Sequence, residues 1–134
     1  MVATLEDVEV TSPRPGVCVV SLRGEHDAAT RVSMSELFHD LVLTNDLVVA
    51  DVTQAQFIDS AMLSTFFVAE KLARQQRKDF RIQLGTEAIV KRAFELSGAL
   101  DHLPWAASRD AVLNGSPVAA KQQQLSEGSD EVAA

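Results

Sequence analysis

The sequence predicts a single α/β domain. It should hold a mostly parallel sheet of four to five strands, an N-terminal hairpin strand and three to four helices. Three observations carry this expectation. The 134 residues suit one domain. Strand-like apolar runs alternate with helical patterns along the chain, which implies parallel strands joined by helical crossovers. The first two strand-like runs are separated by a short segment in which Pro13, Pro15 and Gly16 mark a turn, which suggests a hairpin.

Each element has its own justification. Val8 to Val10 suggests a short first strand, and Val17 to Leu22 is an apolar, β-branched second strand running into Arg23-Gly24. Thr30 to Leu43 carries Val32, Leu37, Phe38, Leu41 and Val42 at helical spacing, with Met34 beside them. Leu47 to Val52 is apolar except for Asp51, as expected of a strand covered on both faces. Ser60 to Lys78 is the clearest helix: Met62, Phe66, Ala69 and Ala73 follow i, i+4, i+7 and i+11. Glu70, Arg74, Arg77 and Lys78 fall mostly on its other faces, with Glu70 and Arg74 an exposed i, i+4 pair. Phe80 to Leu84 alternates, with Arg81 and Gln83 on a wetter side. Thr86-Glu87 opens a helix bearing Ile89, Val90, Ala93, Phe94 and Leu96, and Ser97-Gly98 ends it. Leu100 to Ala106 is ambiguous, with Pro104 pointing to an edge strand or an extended segment. Ser108 caps a last short helix to Leu113. The domain is expected over residues 7–113, after a flexible N-terminus (1–6) and before a disordered Gly, Ser, Gln and Ala-rich tail (114–134).

Composition excludes several function classes. The formal net charge of −7 opposes nucleic-acid binding, which needs a basic field. No apolar run approaches the roughly 20 residues that span a bilayer, and Met1 to Asp7 lacks a signal-peptide pattern, so the expected location is cytoplasmic. Cys18 is alone and sits in an apolar run, so a buried, inert thiol is expected. There is no GxxxxGK, GxGxxG or GxSxG motif. His26, His39 and His102 are scattered rather than spaced as metal ligands. Glu25 and Asp27 are loop carboxylates that solvent alone explains, and nothing else forms a catalytic constellation.

What stands out is Phe57-Ile58-Asp59-Ser60-Ala61-Met62-Leu63, where strand pattern gives way to helix pattern. Ser60 there is a natural helix N-cap, and the same place suits a phosphate. On the residues alone the cap is the better reading. Ser64 and Thr65, one turn on, are alternative acceptors or polar filler.

Three separated stretches resemble the STAS domain as found in bacterial anti-sigma factor antagonists. Leu22-Arg23-Gly24-Glu25-His26-Asp27, with Thr30 following, resembles the family's L-x-G-E-x-D-x-x-T segment. Asp51 through Leu63 is similar to its strand, loop and phospho-acceptor segment, with the D-S-S-G-L core. Ala88 through Gly98, on to Leu103, is similar to its V-x-R-x-x-x-x-S-G-L helix and exit; Arg92 and Ser97 match there, with Ser97-Gly98 read as structural. The three are correctly spaced and together span about residues 8–112. This chain has Ala61 where the family has a second serine and Met62 where it has glycine.

The resemblance implies a non-enzymatic switch without a cofactor that regulates transcription. The serine after the aspartate, here Ser60, would be phosphorylated by an anti-sigma factor that is also a kinase. The unphosphorylated form would bind that factor and free its sigma factor, and a phosphatase would restore it. The implied partner surface is Glu25, Asp27, Thr30, Asp59, Ser60, Ala61, Met62 and Ser64, with Met62 expected to present an apolar side chain beside the acceptor. For Glu25 and Asp27 the alternative is that Gly24 makes a turn and the acids only solvate it. The chain would be a monomer or weak dimer, bound neither to nucleic acid nor to membrane. Two rival functions stay open: a constitutive STAS scaffold or transporter-associated subunit, and a nucleotide or small-ligand sensor.

Overall fold

The structure, a computed structural model, describes residues 7–26, 28–85 and 88–115. Five strands and four helices follow in order: β1 (Val8–Arg14), β2 (Val17–His26), α1 (Ala28–Thr44), β3 (Leu47–Ile58), α2 (Ser60–Gln75), β4 (Asp79–Gln83), α3 (Ala88–Leu96), β5 (Trp105–Ala106) and α4 (Arg109–Asn114). A 3₁₀ turn at Ala99–Asp101 joins α3 to β5. The strands lie in sequence order in one sheet. The β1/β2 hairpin is antiparallel, and β2/β3, β3/β4 and β4/β5 are parallel. The single α/β domain and its mostly parallel sheet are as the alternating patterns predicted.

Strand alternation divides the core between the two faces of the sheet. Val20, Leu22, Val48, Ala50, Val52, Phe80, Ile82 and Leu84 face α1, α2 and α3, and meet Met34, Phe38, Val42, Met62, Phe66, Ala69, Val90 and Phe94. Four phenylalanines knit this layer: Phe38 meets Phe66 and Phe80 edge-on with centroids 5.7 and 5.5 Å apart, and Phe66 stacks on Phe94 at 6.1 Å. Burying each such ring stabilises the fold by roughly 1.5–3 kcal/mol. Val17, Val19, Leu47 and Val49 face the other way and are covered by Ala106 and by Val112 of α4. Cys18 is buried, as its apolar surroundings predicted.

Several element boundaries differ from the sequence reading. β1 extends to Arg14 and β3 to Ile58. The second half of β3 is half-exposed and contains two register shifts against β2, so it lacks the strict alternation by which strands are recognised. In α1, Met34 is the core residue and Val32 is 62% exposed, because the apolar stripe runs through Met34, Phe38 and Val42. Helix α2 stops at Gln75 rather than Lys78. Its Glu70 is buried, not on an open face, and both its oxygens accept from Arg74 Nε at 2.9 and 2.8 Å. Gln83 is buried as well, because α4 covers the side of β4 that the alternation marked as wet. In α3, Leu96 is exposed while Val90 and Phe94 enter the core, and Gly98 ends the helix with φ 76°. The Thr86-Glu87 start lies outside the described residues, as do the expected flexible N-terminus and tail residues 116–134. The ambiguous segment resolves into the 3₁₀ turn and the edge strand β5. Ser108 caps α4, its Oγ accepting from the Ala111 N–H at 3.1 Å.

Candidate functional site

Strands β2 and β3 are parallel and each is followed by a helix, so the starts of α1 and α2 emerge at the same, carboxyl-terminal end of these strands. Glu25 pairs with Phe57 and His26 with Ile58, which brings the end of β2 alongside the approach to Ser60. Thr30 is half-buried in the first turns of α1, and Asp27 lies outside the described residues.

The junction itself is set by Asp59. Its backbone is extended (φ −89°, ψ 176°), and its Oδ1 accepts from the Met62 N–H at 3.0 Å. Asp59 is therefore the N-cap and Ser60 the first helical residue. This corrects the expectation that Ser60 is the cap. Both residue types cap well, but only the last residue in extended conformation can reach the amide three positions on. Ser60 is thereby relieved of a capping role and is exposed at the positive end of α2.

The next residues divide by helix face. Ala61 is half-buried, and Ser64 is exposed in the second turn. Met62 is completely buried against Phe66 and Ala69, which corrects its expected position beside the acceptor. It begins the same i, i+4 stripe that carries Phe66, so it must point at the sheet. Thr65 is buried too; its Oγ1 donates to Ala61 O at 3.1 Å and lies 3.5 Å from Ser35 Oγ. An acceptor role for Thr65 would need the helix to open. Ser60 and Ser64 are the accessible hydroxyls of this turn, and Ser60 is the one at the helix end.

Sequence reasoning missed two features. Phe57 is 47% exposed, three residues before Ser60. On the opposite side of the sheet, Asp51, Thr53, Gln83 and Arg109 form a hydrogen-bonded cluster. Its one signal was a carboxylate in an apolar strand. Among the described residues no group of three or more His, Cys, Asp or Glu side chains could hold a metal ion. Among the same residues no helix is long and apolar enough to cross a membrane.

An exposed hydroxyl at a helix N-terminus, beside a carboxylate already committed to capping, is suited to receiving a phosphoryl group. Comparisons with known proteins bear on what such a frame belongs to. Among curated protein sequences none matches this chain. Among solved structures it is similar to an anti-sigma factor antagonist from Mycobacterium paratuberculosis, with TM-score 0.70 and 20% identity over 85% of this chain and 97% of that one. It is also similar to the anti-sigma factor antagonist SpoIIAA in its unphosphorylated form, with TM-score 0.67 and 15% identity over 78% of this chain and 92% of that one. The phosphorylated form of SpoIIAA, a Bacillus cell fate determinant, gives TM-score 0.61 and 14% identity over 78% and 96% of the two chains. At these identities the likeness establishes the fold. The STAS domain family model matches residues 10–112, from within β1 into α4, and so takes in part or all of every strand and the Asp59-Ser60 junction; the chain belongs to the STAS domain family.

Proposed function

We propose that this chain is an anti-sigma factor antagonist working as a phosphorylation-controlled partner switch, with Ser60 as the acceptor. Unphosphorylated, it binds an anti-sigma factor of the serine-kinase type and frees a sigma factor. Phosphorylated, it lets go, and a phosphatase resets it. The chain acts by binding and performs no catalysis of its own.

The observation that carries this reading is the exposed Ser60 at the first position of α2 in a STAS frame. The likeness to SpoIIAA, solved both with and without phosphate, supports it. The physics gives the direction of the switch. A phosphoserine carries about −1.5 to −2 charge at neutral pH. At the start of α2 the helix dipole offsets part of this, by about 0.3–1 kcal/mol. Asp59 opposes it, and the chain is already at −7. Burying the same phosphate in an interface without a cationic partner would cost several kcal/mol. The interface therefore loses far more than the fold. Met62 is fully buried and so places no apolar side chain on the surface beside Ser60.

The test is to incubate the purified chain with ATP and each serine-kinase anti-sigma factor encoded in its genome, then read intact mass. One added phosphate, mapped to Ser60, is expected with at least one kinase. An unchanged mass with all of them, together with equal capture of the anti-sigma factor by wild type and Ser60→Asp, would replace the switch with constitutive binding.

A further inference from the structure

The strand that delivers Ser60 is displaced from regular pairing at two places. Ser21 pairs with Asp51 and Arg23 with Gln54, so β3 uses one more residue than β2 over that step; a second shift falls between Gly24 and Glu25. A bulge leaves backbone groups without ladder partners. Asp51 supplies one: its Oδ1 accepts from the Thr53 N–H at 2.9 Å and from Thr53 Oγ1 at 2.7 Å. Asp51 is 7% exposed, and its other oxygen accepts from Arg109 Nη2 at 2.8 Å. Arg109 is itself held by Gln83, whose Oε1 accepts from Arg109 Nε at 2.6 Å.

A second contact joins the same parts. Gly85 has φ +71°, and a Cβ placed on it would come within 2.8 Å of Thr53 Cγ2, so only glycine lets the chain after β4 lie against the bulge. The Gly85 N–H donates to Ala107 O at 3.1 Å, two residues before Arg109. Thr53 is thus fixed through Asp51 and through Gly85, and both routes end at the start of α4.

We infer that Arg109 is a positioning residue for the acceptor segment: from α4, on one face of the sheet, it holds Asp51 and with it the bulge that sets where Asp59 and Ser60 emerge. Strand geometry gives the consequence. Losing one bulge residue would draw the following strand back by about 3.3 Å and turn its side chains to the opposite face. Ala55 and Ile58, now buried, would turn outward. Without Arg109 the Asp51 carboxylate stays buried but loses its cationic partner, the one bond on its second oxygen, and it relaxes toward water. The bulge loosens locally, ahead of any loss of the core.

Amide hydrogen exchange on the full chain tests this without a partner protein. In Arg109→Gln, exchange across Thr53 to Met62 should quicken on the order of tenfold relative to Val48, Ala50 and Ile82, with Arg109→Lys restoring most of the protection. Thr53→Val, which keeps the β-branched shape and removes the Oγ1 bond, should loosen the same segment and guards against poor folding of the arginine variant. Acceleration spread evenly over the core strands, or none in the segment, would overturn the inference. Its consequence for phosphorylation rests on Ser60 being the acceptor. The exchange measurement does not, so a failed lock and a failed switch give different results.

Discussion

Arg77 sits at φ 59°, in the left-handed region that side chains with a Cβ avoid. It is there because α2 ends in a Schellman turn: the Arg77 N–H donates to Arg74 O at 3.1 Å and the Lys78 N–H to Ala73 O at 2.8 Å. Arg77→Gly should therefore raise stability by about 0.5–1 kcal/mol, read as a rise of a few degrees in Tm. Gly98 is the matching position after α3, with φ 76° and no atom within 4 Å of an added Cβ. Gly98→Ala should cost about 1 kcal/mol from backbone strain alone. A stabilised Gly98→Ala, or a destabilised Arg77→Gly, in urea titration would contradict this account. At the other end of α2, Asp59→Ala removes the cap and should cost about 0.5–2 kcal/mol. Ser60→Ala should stay within about 0.5 kcal/mol of wild type, because Ser60 does not cap. Equal losses from the two would put the cap back on Ser60.

At the level of elements, α4 illustrates how a short helix can hold a face of the sheet. It has six residues, too few to be stable alone. Its hold comes from Val112, fully buried, from Arg109 on Asp51 and Gln83, and from Arg81 Nη1 donating to Val112 O at 2.8 Å. Arg14 of β1 adds bonds to Leu113 O and Asn114 Oδ1. A chain ending at Ala107 should uncover Val17, Val19, Leu47 and Val49, bind a hydrophobic dye and lose several kcal/mol of stability. An ended chain that bound no dye and melted like wild type would show that α4 is dispensable. The helix was legible in the sequence from its Ser108 cap, and so was α2 from Met62, Phe66, Ala69 and Ala73, because both signals are local. The second half of β3 was not. Thr53 to Ile58 owes its strand form to pairing with β2, and the two register shifts break the alternation. Nor could the choice between Asp59 and Ser60 as cap be read locally: it depends on where β3 stops, which tertiary pairing decides. The Arg109 contact to Asp51 spans 58 positions, beyond any local signal.

Over the whole molecule, the fold separates what keeps the domain together from what a partner could read. The apolar layers face inward on both sides of the sheet, and Ser60 stands outside them at the start of a helix whose own amides are already organised by Asp59. A negative charge at Ser60 meets solvent and the positive end of α2, so the domain should tolerate it. A partner surface lying over the same point would have to strip its water. Ser60→Asp should accordingly shift unfolding free energy by no more than about 0.5 kcal/mol. Under the proposed switch, its hold on the anti-sigma factor should fall by roughly a hundredfold, equivalent to about 2.7 kcal/mol. Titration calorimetry against that factor, beside urea denaturation of the same preparation, separates the two quantities. Binding that survives the substitution would mean the charge is not felt at the interface. Binding lost together with the fold would mean that the charge acts by unfolding α2, and Ser60 would then control the domain's integrity rather than its choice of partner.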